Sequence, residues 1–265
     1  MSFASVSFLL FFLVVLLLLL LVQRVLPFAE IKRRIICQGI LLIASYVFYG
    51  WWNMQLCLLL MGITWISFFT AVKKDEKHLW QSRISLLIGV GTPLTVLRIF
   101  KYYDFFVTSF CDVFHLTPGV LNLILPVGIS FYTFQALSYT IDVYTGKIEK
   151  EKSFLQFALY LSFFPQLVAG PIVKASEFLP QLKENRKVTL AGLESGIQIF
   201  VFGMFKKVVL ADNISVFVDE VYRSPQIFGS GTVALAVAAY AIQIYMDFSG
   251  YSDMAIGCAK CMGYE

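Results

Sequence analysis

Charge is scarce in this 265-residue chain: Asp, Glu, Lys and Arg make up 14% of it, against 58% hydrophobic residues. Together with a mean hydropathy of +0.76, that excludes an ordinary water-soluble domain. Histidine is scarcer still. There are two, His78 in K-D-E-K-H-L and His115 in F-H-L-T-P, and both read as solvated loop residues rather than catalysts. The five cysteines contain one close pair, Cys258-x-x-Cys261. With no second pair and an apolar helical context, it reads as two packed thiols and not a metal site. Cys37, Cys57 and Cys111 show no disulfide framework. F-S-G-Y-S lacks the G-x-S-x-G spacing of a nucleophile elbow.

What the chain has is apolar runs. Phe3 to Val22 is unbroken, with no basic region ahead of it and no small-residue cleavage site behind, so it reads as a retained transmembrane helix. Further spans are expected at Ile35 to Trp52, Leu56 to Val72 and Ile84 to Phe100, with Lys101 to Phe114 as a separate interfacial helix. The net charge of +4 comes from short basic clusters between these runs, as juxtamembrane charges do, and does not suggest nucleic acid. Arg24, Lys32, Arg33 and Arg34 form one cluster and K-K-D-E-K-H-L-W-Q-S-R another, two crossings later. By the positive-inside rule both lie in the cytoplasm and the N-terminus lies outside.

The second half is less regular. Leu121 to Tyr144 is long enough to span, with Pro126 and Gly128 loosening its first half. S-F-F-P-Q-L-V-A-G-P-I-V, Ser162 to Val173, is apolar and uncharged yet carries Pro165, Gly170 and Pro171. Two prolines and a glycine so close together prevent a regular helix. Broken backbone at membrane depth survives only where it is buried in protein or lines a wet cavity. The expectation is a re-entrant dip that helps line a pocket or tunnel, with basic clusters on the same side at Lys147, Lys150, Lys152 and at Lys174, Lys183, Arg186, Lys187; a kinked span packed among neighbours is the alternative. Downstream, Gly196 to Ser215 is a helix whose Lys206 and Lys207 can snorkel to headgroups. Asp212 and Asn213 read as a helix-end turn rather than a glycosylation site. Val233 to Gly263 carries Asp247 deep in an apolar run. An acid at bilayer centre costs on the order of 3 kcal/mol and wants a partner.

Four blocks, F-Y-T-F-Q-A-L-S-Y-T-I-D-V-Y-T-G, S-F-F-P-Q-L-V-A-G-P-I-V, G-M-F-K-K-V-V-L-A-D-N and A-I-Q-I-Y-M-D-F-S-G-Y-S-D-M-A-I-G, resemble in their order the membrane-bound O-acyltransferase family, in the branch that O-acetylates alginate. They cover about Leu121 to Gly263, and the first third matches only as hydrophobic spans. The resemblance implies an all-α, polytopic integral membrane protein of the bacterial cytoplasmic membrane, with helices and a re-entrant segment around a central tunnel. It implies acyl transfer from a cytoplasmic donor, acetyl-CoA, to hydroxyls of an extracytoplasmic polysaccharide such as alginate, completed by an extracytoplasmic partner protein. No bound cofactor or metal is implied. The family's histidine follows the D-F-S-G-Y-S block in another membrane segment, which the resemblance puts beyond Glu265. Residues 1–265 are then expected to be the N-terminal part of one domain, with no catalytic residue of its own. Gln135, Asp142, Asp247 and Ser249 lie in the blocks in apolar surroundings. They are candidates, with Pro165, Gly170 and Pro171, for lining the tunnel, or else for pinning helices together. A transporter and a non-catalytic membrane scaffold are the other readings.

Overall fold

A computed structural model describes residues 2–265 except Leu26, Phe28, Glu76, His115, Pro118, Val120, Asn122 and Ala169. His115 thus lies outside the described residues. The described residues are helical, with no strand among them: α1 (Val6–Leu20) running into a π-turn (Leu21–Val25), α2 (Glu30–Gly50), α3 (Met54–Thr70), α4 (Leu79–Phe114), α5 (Ile129–Tyr144), α6 (Phe154–Ser162), α7 (Phe164–Leu167), α8 (Ala175–Lys183), α9 (Leu190–Met204), a π-helix (Phe205–Ala211), α10 (Asp212–Arg223), a 3₁₀ turn (Pro225–Ile227) and α11 (Ser230–Cys261). Three helical stretches, Val6–Val25, Leu79–Phe114 and Ser230–Cys261, are long and apolar enough to cross a bilayer; α3, with 17 residues, is a shorter apolar helix.

Local chemistry sets most of the boundaries. Ser5 accepts from the Phe8 N–H to start α1, Asn53 from Gln55 to start α3, Ser153 from Gln156 to start α6 and Thr189 from Gly192 to start α9, each satisfying one of the N–H groups a helix start leaves open.

Four expectations change. α2 begins at Glu30, so Lys32, Arg33 and Arg34 stand on its first turns and not in a loop; Glu30 in the first turn favours that start. Ile84 to Phe100 and Lys101 to Phe114 form one helix of 36 residues, about 54 Å long. Nothing between Phe100 and Phe106 breaks it, since polarity alone does not end a helix, whereas Pro93 is accommodated inside it. Leu121 to Leu125, where described, is not helical, and α5 starts only at Ile129 behind a Gly128 with φ +76°. A side chain at Gly128 would meet the Leu167 carbonyl, so glycine is required there both by sterics and by the left-handed backbone. Finally, Asp212 and Asn213 end nothing. α9, the π-helix and α10 run on without a break from Leu190 to Arg223, and the Asn213 amide donates to the Val209 carbonyl at 2.7 Å, satisfying an oxygen in the widened turn.

The chain divides into two compact units, residues 1–34, 169–171 and 186–265, and residues 35–168 and 172–185. In the first, α9 and α11 pack along their length, and Phe3 stacks on Tyr251 at 4.5 Å. In the second, α3, α4, α5 and α6 enclose a core that includes Tyr49, Leu60, Ile63, Tyr132, Ala136 and Leu161.

Candidate functional site

The break in the second unit is explicit. In an unbroken helix the Tyr160 carbonyl would accept from the Phe164 N–H. Phe163, with ψ 112°, pulls the two apart between α6 and α7. Both groups are buried, and each finds a side chain: Tyr160 O accepts from Gln166 Nε2 at 2.7 Å and Gln135 Nε2 at 3.1 Å, while Phe164 N donates to Ser45 Oγ at 3.1 Å. Ser45 in turn donates to Leu41 O at 2.8 Å. Pro165 sits in the first turn of α7, where its missing N–H costs nothing. Neutral donors and acceptors therefore replace the lost helical bond, as burial of broken backbone demands. Pro165 and Gly170 are buried and Pro171 is half-buried.

The chain then doubles back. α6 has 9 residues, about 13 Å, and the Tyr160 hydroxyl reaches the Val173 carbonyl of the returning segment at 3.3 Å. Glu151, 4% exposed, pairs with Lys183 at 2.9 Å. The same carboxylate accepts from Lys152 N at 2.8 Å and Ser153 N at 3.0 Å, and the Glu151 N–H donates to the Tyr139 hydroxyl at 3.0 Å. One buried acid thus ties the start of the excursion to its end and to α5. Asp142, mostly buried, has a charged partner. It stands in the last turn of α5 and pairs with Lys147 at 3.4 Å, because α5 runs out into a loop there.

In the first unit the chemistry is charged. α9 and α11 meet at glycines: a Cβ on Gly203 would lie 2.6 Å from Gly250 O, and one on Gly257 2.6 Å from Gly196 O. Such close approach lets backbones touch, as small residues do between membrane helices. Asp247 and Asp253 lie three residues either side of Gly250, about 60° to each flank at 100° per residue. Lys206 and Lys207 follow Gly203 by three and four residues and flank it likewise. Lys206 Nζ pairs with Asp253 at 2.6 Å and donates to Ser249 Oγ at 2.9 Å, with its charge 4.7 Å from the Phe202 ring. Lys207 pairs with Asp247 at 2.7 Å and Asp212 at 3.0 Å. The lysines are held in ion pairs rather than snorkelling, because the glycine seam brings the acids within reach. Asp247 has the partner it needs.

The structure therefore places Gln135 and Pro165 together at the break, and Asp247 and Ser249 together on the glycine seam. Ser45, Gln166, Glu151, Asp212 and Asp253 carry bonds that sequence reasoning did not single out. For the seam a signal existed: Gly196 and Gly203, like Gly250 and Gly257, are seven residues apart. Cys258 and Cys261 are buried free thiols, and no metal-ligand cluster occurs among the described residues. His78 is exposed and bonds Asp75 at 3.0 Å. That bond, with Lys77 N donating to the same carboxylate, holds Asp75 below the usual carboxylate range. Among the described residues, then, neither the break nor the seam holds a histidine. Glu265, beyond which the resemblance puts that residue, is exposed and follows α11 by four residues. An apolar crevice of 720 Å³ lies along α2 and α3, lined by Tyr46, Trp51, Met54 and Cys57 among others; none of the candidate residues borders it.

Apolar helices, a backbone broken and resatisfied in protein, and charges paired inside a helix seam define a membrane protein. The chain belongs to the membrane-bound O-acyltransferase family, which it matches over residues 41–265, up to and including Glu265. The match starts well before the motif blocks, so α3 and α4, read from sequence only as apolar spans, belong to it. The chain is 38% identical over 239 residues to a probable alginate O-acetylase of Pseudomonas putida, covering 85% of this chain and 47% of that protein. It is 36% identical over 249 residues to a peptidoglycan O-acetyltransferase of Helicobacter pylori, covering 82% and 46%. A teichoic acid D-alanyltransferase of Bacillus subtilis is 25% identical over 148 residues, covering 54% and 37%. The chain spans about half the length of the first two relatives.

Proposed function

We propose that this chain is the N-terminal part of an O-acetyltransferase of the bacterial cytoplasmic membrane, which moves an acetyl group from cytoplasmic acetyl-CoA to hydroxyls of an extracytoplasmic polysaccharide, alginate or a related glycan, with an extracytoplasmic partner protein receiving or completing the transfer. The observation that carries it is the family match, with relatives named for O-acetyl transfer at 36–38% identity. The doubling back of residues 151–183 supports a re-entrant segment, since α6 is far shorter than the ~30 Å of hydrocarbon.

In this reading Gln135 and Pro165, at the break in the second unit, border the tunnel. Transfer forms a C–O bond from the hydroxyl to the acetyl carbon and breaks the C–S bond of the thioester. The hydroxyl proton must pass to a base and finally to the departing thiolate. General-base assistance typically supplies about 10²- to 10⁴-fold in rate. Asp142 and Asp247 are engaged by Lys147 and Lys207, and no histidine lies in the matched blocks. The base is accordingly assigned to a histidine beyond Glu265.

The test supplies radiolabelled acetyl-CoA, the partner and candidate polymers to membranes bearing the full-length protein or residues 1–265. Labelled polymer from the full-length protein alone is the expected result. Turnover by residues 1–265 that survives replacement of His78 and His115 would overturn the assignment of the base.

A further inference from the structure

Among the described residues Glu151 is the only charged residue that is buried, and the transfer step makes no use of it. Each part of it is bonded. Oε1 accepts from Lys152 N and Ser153 N at the start of α6, and Oε2 pairs with Lys183 Nζ in the last turn of α8. Its N–H donates to the Tyr139 hydroxyl on α5. Beside Lys183, the Leu182 carbonyl accepts from Gln38 of α2, which is buried. The shallow end of the excursion is thus fixed to α5 and α2, the helices that also hold its deep end, through Gln135 and Ser45.

Stability does not account for a charge at this point. Burying a carboxylate carries a desolvation cost of several kcal/mol, and well-packed apolar residues in place of a buried ion pair are often as stable or more so. Lys183, with its side chain 59% exposed, is only half of such a pair. What the carboxylate does supply is a distance. Because one oxygen serves the start of α6 and the other the end of α8, the two helix ends stand a carboxylate's width apart. α6 carries that setting inward as one regular helix of 9 residues, and Tyr160, whose carbonyl the break frees, is in its last turn.

We propose that Glu151 is a positioning residue for acyl transfer, which sets through α6 and α8 where the break with Gln135 and Pro165 stands. It acts through these helices and not by contact with donor or acceptor. The inference rests on the acetyl-transfer reading of the full-length protein.

The test uses the full-length protein in membranes, with acetyl-CoA varied, at a temperature well below the melting of each variant. Glu151→Gln keeps an oxygen for the two backbone N–H groups and removes the charge. Lys183→Met removes the partner, and Lys183→Arg keeps one. A misplacement of about 1 Å can cost about 10²-fold in rate. Glu151→Gln and Lys183→Met should therefore lower kcat at least about tenfold with KM for acetyl-CoA within about twofold, while Lys183→Arg keeps at least about half of kcat. Thr64→Val also removes a buried polar group, but one that bonds only within its own helix, to Leu60 O at 2.7 Å, and it should leave both constants unchanged. A pair that serves stability alone would lower the melting temperature and leave kcat within about twofold, which overturns the positioning role. So does a loss in Lys183→Arg or Thr64→Val as deep as that in Glu151→Gln. Should the carboxylate stranded by Lys183→Met prevent folding, Glu151→Gln, which strands no buried charge, decides. Absence of transfer by the unaltered protein would instead overturn the acetyl-transfer reading, and the positioning role with it.

Discussion

Residues 154–174 and the α9/α11 hairpin place polar groups among apolar helices in opposite ways. In the first, the backbone itself is interrupted, and neutral amides and a hydroxyl from Gln135, Gln166 and Ser45 take up the freed carbonyl and N–H. In the second, both helices run through, one of them widened by a π-helix, and the polar load is ionic, shared across a glycine seam. A backbone break exposes dipoles fixed in place, which one well-aimed neutral partner can satisfy. A charge needs a counter-charge at contact distance, and only a seam without side chains brings two helices close enough.

The comparison breaks most readily at the seam. Gly203→Leu should have the largest effect, because its side chain would have to displace the backbone of Gly250 and Met254. It should leave little folded protein in detergent, measured as the monodisperse fraction on gel filtration after mild heating. Next, Lys206→Ala leaves Asp253 in a mostly buried position without its partner. A loss of about 3 kcal/mol is expected, near the lower end for breaking a buried pair. The swap of Lys206→Asp with Asp253→Lys should recover more than half of it in chemical denaturation, and no recovery would show that packing rather than charge holds the seam.

Smaller effects belong to the break. Ser45→Ala removes the acceptor of the Phe164 N–H and should cost about 1–2 kcal/mol. Gln135→Leu should cost less, about 0.5–1 kcal/mol, since Gln166 still serves Tyr160 O. The double change with Gln166→Leu should cost more than the two single changes added together, a departure readable in a double-mutant cycle. The smallest effect lies in the loop of His78. Asp75, held low by His78 and the Lys77 N–H, favours the folded loop above its unfolded pKa near 4, and that contribution is lost as pH falls through its lower folded value. Asp75→Asn should therefore change stability slightly at pH 7 and progressively less as the pH falls below about 4, seen as two melting curves that converge on acidification.

Much of the stretch from 154 to 174 was legible. Pro165, Gly170 and Pro171 announced the break because proline and glycine act through local backbone chemistry. The partners of the break were not, since Ser45 lies 119 residues from Phe164 and a serine in an apolar helix has no pattern that names its bond. The helix ends at Leu121 to Gly128 and Phe100 to Lys101 were misjudged in opposite directions. Hydropathy overstated a helix that Pro126 and the φ of Gly128 prevent, and understated one that polar residues continue.

The sequence by itself determined that the chain is helical and membrane-embedded, where its backbone must break, and to which family it belongs, because apolar length, proline and ordered motif blocks are properties of neighbours along the chain. Only the tertiary structure decided that Lys206 and Lys207 are paired rather than snorkelling, that Asp142 sits at a loop while Asp247 is held on a seam, and that Glu151 joins both ends of the 151–183 excursion. Those are distances between residues remote in sequence, and they are set by how closely two backbones can approach, which for α9 and α11 depends on side chains that glycine does not have.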